Sequence, residues 1–434
     1  MPLDSGGPGP RRIAVIGAGI SGMGAAHLLA GMERRQTVVL FEAEGRLGGH
    51  ARTRLAGRTG TQPVDTGFIV FNHATYPRLT ELFARLGVET AASDMTFGAS
   101  IDGGRIEYGL RNLSTLFAQK RNLGRPAFLR MVADLIRFNR QADAAARDPE
   151  TSVDDLLGRL RMGPWFRDYY LAPITGAIWS TPVDRALDFP ARAMIDFFRN
   201  HALLHHAGQH QWYTVKGGSV EYVRRLTAEI ERQGVEIRRA CPVETVRRGN
   251  DGVEIRAGGA WERFDDVIFA THADDTLRLL GDASPKESAE LGAIRYQPNE
   301  VVLHSDASVM PRRKSCWSAW NYAEETGARS ERISLTYWMN ALQPIPADDP
   351  LFVTLNPTRA IDPARVFDRT VMRHPVYDLD AFRGKAALAA RNGARRTWFC
   401  GAWMGNGFHE DGLASAHSVV EAMQARDTAT DPVA

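Results

Sequence analysis

The sequence predicts an α/β fold in which a parallel sheet is assembled from separated stretches of the chain. The main observation is the order of elements within residues 12–53. An apolar, partly β-branched run at 13–16 has the composition of a buried parallel strand. Glycines follow at GxGxxG spacing, and a second apolar run, 37–41, ends at an acidic residue. This order of strand, glycine turn, helix and strand is typical of a Rossmann-like unit.

Each of the three glycines, Gly17, Gly19 and Gly22, has its own expected purpose. Gly17 permits the tight turn, Gly19 lets a pyrophosphate approach the backbone, and Gly22 lets the helix pack closely on the sheet. The helix is predicted at about 21–33, and its free N–H groups point to where the phosphates would lie. Its start adds two residues to the predicted site: Ile20 and Ser21.

The acidic residue after the second strand is Glu42, about twenty residues past the glycines. A carboxylate there accepts hydrogen bonds from both ribose hydroxyls, which suits an adenosine without a 2′-phosphate. Glu42 and the adjacent Ala43 are therefore predicted to bind the nucleotide.

Composition describes an ordinary globular chain of 434 residues, 44% hydrophobic and 24% charged, long enough for two cores. A net charge of +2 gives no basis for nucleic-acid binding. Three widely spaced cysteines predict a reducing compartment, with neither a disulfide framework nor a metal site. The termini, 1–10 and 428–434, are expected to be flexible, and without a secretion signal the protein is expected to be cytoplasmic.

Residues 45–53, GRLGGHART, resemble the RxGGRxxT signature of the flavin amine oxidase, protoporphyrinogen oxidase and carotenoid desaturase superfamily. The resemblance implies an FAD cofactor whose pyrophosphate and ribityl chain lie against Arg46, Gly48 and Gly49. His50 stands where the superfamily usually has an arginine, and Arg52 is a candidate for the missing charge.

Other segments resemble further FAD-binding elements of the same superfamily. The resemblance implies that the 64–71 segment lies beside the flavin ring, through Gly67, Phe68 and Ile69. It places Val243 at the adenine, and Ala270 and Thr271 near the pyrophosphate. Residues 397–415 resemble a C-terminal motif whose helix N-terminus faces the flavin N1–C2=O edge. The contacts implied there are Gly401, Ala402, Asp411, Gly412 and Leu413.

The resemblance also implies two domains that alternate along the chain. The Rossmann-like FAD-binding domain is expected to combine 11–72, 216–294 and 391–427, and an α+β substrate domain to combine 73–215 and 295–390. A helix should begin at Tyr76-Pro77 and end at Gly87. A helix at 219–233 and a strand at 235–239 should follow the Gly217-Gly218 turn. Strands at 301–304, 315–322 and 333–340 would belong to a six-stranded mixed sheet.

Longer runs, among them WYTVKGGS at 212–219 and GFHEDG at 407–412, resemble a bacterial subgroup related to the flavoprotein desaturase of furan fatty acid synthesis. That resemblance implies desaturation of a methylated fatty acyl chain on phospholipid, by hydride transfer to flavin N5, with a lipid methyltransferase as partner. His409 and Glu410 are the candidate catalytic residues, and a buried Glu410 with a raised pKa would serve as the base.

Two other classes of function remain open. One is an amine oxidase acting on a small amine, which needs an aromatic cage around the flavin. The other is a non-redox FAD protein, either an isomerase or an accessory protein of the methyltransferase.

The stretch 105–140 combines eight Arg or Lys residues with two acids and many apolar residues. One interpretation is a solvated helical hairpin with its apolar face in the core. The other is a surface that docks peripherally on anionic phospholipid by apolar insertion and charge.

Overall fold

The computed structural model describes residues 10–32, 36–148, 150–179, 187–200, 204, 210–326 and 333–430. At its centre lies a five-stranded sheet in the order β10-β2-β1-β14-β20, in which every pair of neighbours is parallel. Its strands are β1 (Arg12–Ile16), β2 (Thr37–Phe41), β10 (Glu236–Arg238), β14 (Asp266–Phe269) and β20 (Thr397–Phe399). The predicted α/β class and the assembly of this sheet from distant stretches of chain are confirmed.

The helices are numbered along the described chain. They are α1 (Ile20–Ala30), α2 (Pro77–Leu86), α3 (Leu113–Leu116), α4 (Pro126–Ala145), α5 (Val153–Arg159), α6 (Pro164–Phe166), α7 (Ala172–Trp179), α8 (Ala191–Asn200), α9 (Val220–Arg232), α10 (Ala273–Leu279), α11 (Pro285–Gly292), α12 (Met339–Leu342), α13 (Leu379–Ala390) and α14 (His409–Thr430). A π-helical turn, Arg167–Leu171, joins α6 to α7. None of the described helices has the length and hydropathy of a membrane span.

Two hydrophobic cores flank the parallel sheet. On one side, side chains of β1 and β2 pack against α1, α9 and α14. On the other, they pack against α11, α13 and the small sheet that follows β10. Strands β1, β2 and β14 are buried almost throughout, as their continuous apolar sequences predict for a sheet covered on both faces.

A mixed sheet forms the second large layer, in the order β19-β15-β18-β17-β16-β7-β8. Its strands are β7 (Phe97–Ile101), β8 (Ile106–Gly109), β15 (Arg295–His304), β16 (Trp320–Ala323), β17 (Leu335–Trp338), β18 (Phe352–Leu355) and β19 (Val366–Val376). It has seven strands where six were expected, because the β7–β8 hairpin adds to one edge through a parallel β7–β16 pairing. The strand predicted from residue 315 begins only at Trp320, after the 3-10 turn Lys314–Cys316.

Smaller sheets complete the described structure. An antiparallel meander contains β11 (Val243–Arg248), β12 (Val253–Ala257) and β13 (Ala260–Phe264). The pair β3 (Thr53–Ala56) and β4 (Gln62–Asp65) precedes a three-stranded sheet of β5 (Phe71–Asn72), β9 (Trp212–Val215) and β6 (Thr90–Ser93).

Two local predictions are wrong. The 105–140 stretch is not a helical hairpin: β8, the short α3 and a 3-10 turn, Lys120–Gly124, lead into one long helix, α4. At the C-terminus, α14 runs to Thr430, so residues 428–430 are helical rather than loose. The other residues predicted to be flexible, 1–9 and 431–434, lie outside the described residues, whereas Pro10 lies within them and is exposed.

Candidate functional site

The carboxyl end of the parallel sheet forms one part of the site. Gly17 has φ of +99° and donates its N–H to the carbonyl of Phe41 at 2.8 Å. A Cβ at Gly17 would lie 2.9 Å from the carbonyl O of Ala270, and one at Gly22 would clash with the carbonyl of Gly17. A Cβ at Gly19 would meet no atom within 4 Å. Open space therefore lies beside the N-terminus of α1, where a phosphate is favoured.

Glu42 follows β2, and backbone groups fix its carboxylate. One oxygen accepts the N–H of Ala18 at 2.8 Å, and the other accepts the N–H of Glu44 at 2.9 Å. A carboxylate has further acceptor positions. Glu42 can therefore still accept hydrogen bonds from a ribose.

The 45–50 loop packs against the glycine turn. The N–H of Gly48 donates to the carbonyl of Ala18 at 2.8 Å. Arg46 forms an ion pair with Glu44 at 3.0 Å and donates to the carbonyl of Gly49 at 2.9 Å. These contacts hold the start of the GRLGGHART motif against the GxGxxG turn.

The substitution of His50 for the usual arginine removes a cation from this loop. Its Nε2 lies 3.2 Å from the carbonyl O of Arg373, and burial lowers the pKa of His50. Arg52 does not supply a free replacement, because both of its terminal nitrogens donate to Asp368, at 2.6 and 3.1 Å. Arg52 nevertheless lines the cavity, so its role as the replacement charge stays a prediction, with Asp368 as its partner.

Most of the predicted residues meet at one cavity of about 1100 Å³. Its lining includes the glycine turn, the end of β2, the 46–50 loop, the 67–69 segment, β11, the end of β14 and the 401–409 turn. The predicted residues found there are Gly17, Gly19, Ile20, Ser21, Glu42, Ala43, Arg46, Gly48, Gly49, His50, Gly67, Phe68, Ile69, Val243, Ala270, Thr271, Gly401, Ala402 and His409.

Gly22, Asp411, Gly412 and Leu413 do not line the cavity. A Cβ at Gly412 would lie 2.7 Å from the Oγ of Ser21, and Leu413 is buried where α14 packs on α1. Asp411 accepts the N–H of Phe408 at 2.9 Å, and burial raises the pKa of Asp411 to about 6. Gly412 and Leu413 fix α14 to α1, and Asp411 caps the start of α14, so their contribution to the cavity wall is indirect.

Glu410 is not placed to act as the catalytic base. It does not line the cavity. Its carboxylate accepts the backbone N–H groups of Arg78 and Leu79, at 3.1 and 3.0 Å, in the first turn of α2. This is a helix-capping interaction, because those N–H groups have no partner within the helix. The predicted catalytic role of Glu410 is therefore replaced by a structural one.

His409 does reach the cavity. Its ring stacks on Phe68, with centroids 3.8 Å apart, and its Nε2 lies 3.0 Å from the hydroxyl of Tyr222. Burial lowers the pKa of His409 to about 3, so the imidazole is neutral at physiological pH. Its neighbour Phe408 stacks on Phe197 of α8 with centroids 4.9 Å apart. His409 therefore lies where the predicted flavin-binding segments meet the second layer.

That second side of the cavity is apolar and aromatic. Trp179 of α7 contacts Phe197 with centroids 4.9 Å apart, and Trp320 of β16 contacts Tyr337 of β17 with centroids 5.0 Å apart. Further lining residues are Met95, Phe97, Ile174 and Ile178. The carboxylates among the described lining residues are Glu42, Glu44, Glu244 and Asp275, and none belongs to α7, α8, β7, β16 or β17.

Two of the three imidazoles that meet on the cavity wall, those of His272 and His374, were not predicted from the sequence. The ring of His50 lies 5.5 Å from those of both His272 and His374. Burial lowers the pKa of His272 to about 2 and that of His374 to about 3. The three rings are therefore an uncharged polar group. His272 belongs to the ATHAD run at 270–274, but His374 lies on β19 with no motif to indicate it.

A parallel sheet with a glycine turn, an acidic second strand and a long cavity at its carboxyl end defines a dinucleotide-binding protein. The family model described as flavin containing amine oxidoreductase matches residues 20–304. The chain therefore belongs to this family, whose members are oxidoreductases that contain flavin. Comparison with curated proteins found no match.

Solved structures resemble the whole chain in fold. A putative protoporphyrinogen oxidase from Exiguobacterium sp. 255-15 is 17% identical with a TM-score of 0.71, covering 97% of this chain and 100% of that one. A CLA-producing fatty acid isomerase from P. acnes is 16% identical with a TM-score of 0.69, covering 95% and 98%. Cyclohexylamine oxidase from Brevibacterium oxydans IH-35A is 17% identical with a TM-score of 0.67, covering 96% and 100%. At these identities the likeness establishes the fold.

The described residues fit the flavin that the family implies. The α1 N-terminus has no side-chain cap, and the space beside Gly19 admits a phosphate. Glu42 offers free acceptor positions to a ribose. The cavity is also larger than the roughly 300–1,000 Å³ typical of small-molecule sites. It has room for a dinucleotide on the polar side and for a second molecule on the apolar side.

Proposed function

We propose that the protein is an FAD-dependent oxidoreductase that desaturates a fatty acyl chain, methylated and carried on phospholipid. The observation that carries this proposal is the apolar wall formed by α7, α8, β7, β16 and β17, which contributes no carboxylate among the described lining residues. Transfer of a hydrocarbon chain from water to such a wall lowers the free energy. A charged ammonium would lose hydration there without a carboxylate as partner.

The polar side would hold FAD through groups that the chain already positions. The N-terminus of α1 and Arg46 would face the pyrophosphate, Glu42 the ribose, and the 67–69 segment the flavin ring. When bound, FAD supplies an acceptor for a hydride. A methyltransferase that makes the methylated chain would be the partner that supplies the substrate.

Of the two predicted catalytic residues, His409 is the one that the proposal retains. The hydroxyl of Tyr222 and the ring of Phe68 fix its orientation. Burial lowers the pKa of His409 to about 3, so the imidazole is neutral and only weakly basic, and we assign it to position the substrate for hydride transfer by a hydrogen bond rather than to take up the proton itself. The packed rings of Phe197 and Phe408 would keep water away from that step.

Two specific observations favour the alternatives. Trp179, Trp320 and Tyr337 provide aromatic surfaces, which an amine oxidase acting on a small amine would need. A fatty acid isomerase shares the fold, which keeps a non-redox FAD-dependent isomerase or accessory protein as a second candidate.

Anaerobic reduction of the purified flavoprotein tests these functions. We expect the absorption band at about 450 nm, which reflects oxidised flavin, to bleach with methylated phospholipid and not with small amines. The lipid product should have lost two hydrogens by mass. Bleaching with amines alone would support the amine oxidase instead. Unbleached flavin with a product of unchanged mass and a shifted double bond would support the isomerase.

A further inference from the structure

A surface of the second layer exposes aliphatic side chains of a kind that a folded protein normally buries. Leu123, Leu129 and Ile136 are 55, 42 and 38% exposed, and they are three of the nine large hydrophobic residues that are exposed among the described residues. They lie within fourteen residues of one another, on the 3-10 turn Lys120–Gly124 and on α4, which contact each other. We call these side chains, with Lys120, Arg130 and Arg140, the basic-apolar face.

The exposed stripe of α4 is separate from its core stripe. Phe128, Met131 and Phe138 point inward and are buried, as helical spacing requires. Leu129, Ile136 and Arg140 recur at the same spacing on the outer side, where residues three, four and seven apart share a face. The apolar residues on the outer side are therefore not needed for packing the helix on its own protein.

The positive charge of the face is not neutralised by neighbours. Lys120, Arg130 and Arg140 have no carboxylate within ion-pair distance among the residues that the structure describes. The two acids of the 105–140 stretch are buried and engaged elsewhere: Glu107 with Arg313 at 2.7 Å, and Asp134 with Arg137 at 2.8 Å. The stretch therefore has a large positive excess in a chain whose net charge is only +2.

Other charged groups near the face do not change this balance. Asp143, an exposed acid of α4, lies 2.9 Å from the guanidinium of Arg199. Arg121 and Arg125 donate to the backbone carbonyl of Arg105, which leaves their charge in place. The surface thus offers both cations and apolar side chains to an external partner.

We propose that the basic-apolar face docks the protein on an anionic phospholipid bilayer. The apolar side chains would enter the boundary between headgroups and acyl chains, while the cations contact the lipid phosphates. Charge alone would suit nucleic acid equally well, but the central stripe of Leu129 and Ile136 would have no role there. The surface is also close to the apolar side of the cavity, because α4 packs on α8, which contributes Phe197 to the cavity wall.

Vesicle flotation of the full-length flavoprotein tests the docking surface without any turnover. We expect binding to vesicles of phosphatidylcholine mixed with phosphatidylglycerol, weaker binding at high salt, and at least about tenfold weaker binding to phosphatidylcholine alone. The triple variant K120Q/R130Q/R140Q should bind about 100-fold more weakly, since each cation near the surface contributes about fivefold. The variant L123S/L129S/I136S should bind these anionic vesicles at least about tenfold more weakly.

The matched controls are V220S and K286Q, which alter an exposed apolar residue and an exposed cation elsewhere. Both should bind like the unmodified protein, and all variants should keep its melting temperature because the substituted residues are exposed. Equal binding to both kinds of vesicle, or unchanged binding in both triple variants, would overturn the proposal. Loss of binding in L55S/V371S alone would place the docking surface elsewhere and overturn it as well. Docking and desaturation can fail independently, because desaturation is measured on detergent-dispersed lipid.

Discussion

The imidazole of His409 stacks on the ring of Phe68, with centroids 3.8 Å apart and planes 18° from parallel. The two residues are more than 300 positions apart in the sequence, one beside β4 and the other at the start of α14. Their contact joins the 67–69 segment and the C-terminal motif, both predicted to bind flavin, at one point of the cavity wall. It also fixes the orientation of the one predicted catalytic residue that reaches the cavity.

Replacement of His409 by phenylalanine should separate stacking from chemistry. The new ring can keep the contact with Phe68 but cannot form the hydrogen bond that positions the substrate, so we expect normal flavin content and flavin reduction slowed by about 100-fold. Stopped-flow absorbance under anaerobic conditions measures the rate. Tyr222→Phe is the control, because it removes only the hydrogen bond to His409 and should have a smaller effect. An unchanged rate in H409F would remove His409 from the reaction.

Replacement of Gly19 by alanine should block the cofactor without unfolding the protein. Its backbone is extended and a Cβ would meet no protein atom within 4 Å, so stability should change by less than about 1 kcal/mol. The methyl group would occupy space that the pyrophosphate needs, and flavin content should fall at least about tenfold. Flavin content is read from the visible spectrum after reconstitution. Gly45→Ala, also in open space, should retain its flavin; a fully loaded G19A protein would contradict the placement of the phosphates.

Replacement of Glu410 by alanine should affect stability rather than flavin reduction. The change leaves two N–H groups of the first turn of α2 without their charged acceptor, which costs about 1–2 kcal/mol. Urea unfolding gives the free energy, and anaerobic reduction gives the rate. Glu81→Ala, on the same helix, is the control for loss of a carboxylate. A large decrease in the reduction rate of correctly folded E410A would restore Glu410 as a catalytic candidate.

His304 should make the protein less stable in mild acid. It is fully buried on β15, and burial lowers its pKa from 6.5 to about 4. As pH falls from 6.5 towards 4, the unfolded chain binds a proton that the folded protein excludes, so this residue lowers the free energy of unfolding by up to about 3 kcal/mol. Above pH 6.5 His304 is neutral in both the folded and the unfolded protein, so it no longer lowers the free energy of unfolding.

His304→Asn should flatten that pH dependence, which urea unfolding at several pH values measures. Asparagine keeps an acceptor for the N–H of Asp306, which bonds the Nδ1 of His304 at 3.1 Å. His73→Asn, at an exposed histidine, is the matched control for the substitution itself. A steeper or unaltered slope in H304N would show that other groups dominate the acid dependence.

Local patterns in the sequence determined much of the parallel sheet and its glycine turn. Continuous apolar runs give β1, β2 and β14, and Gly17 has the positive φ that a turn of this kind requires. Such features depend on neighbouring residues only, so that spacing and residue type are enough to predict them. The role of Glu410 could not be predicted in this way, because its partners are at the start of α2, more than 300 residues earlier.

The sequence by itself therefore determined the class of fold, the position of the nucleotide-binding turn and the likeness to flavoproteins. Only the tertiary structure decided which polar side chains face the cavity. His374 lines it from β19, whereas Glu410 lies outside it and caps a helix. The physical reason is that a side chain's pKa, partners and direction depend on long-range packing, which brings together residues whose separation in sequence carries no signal.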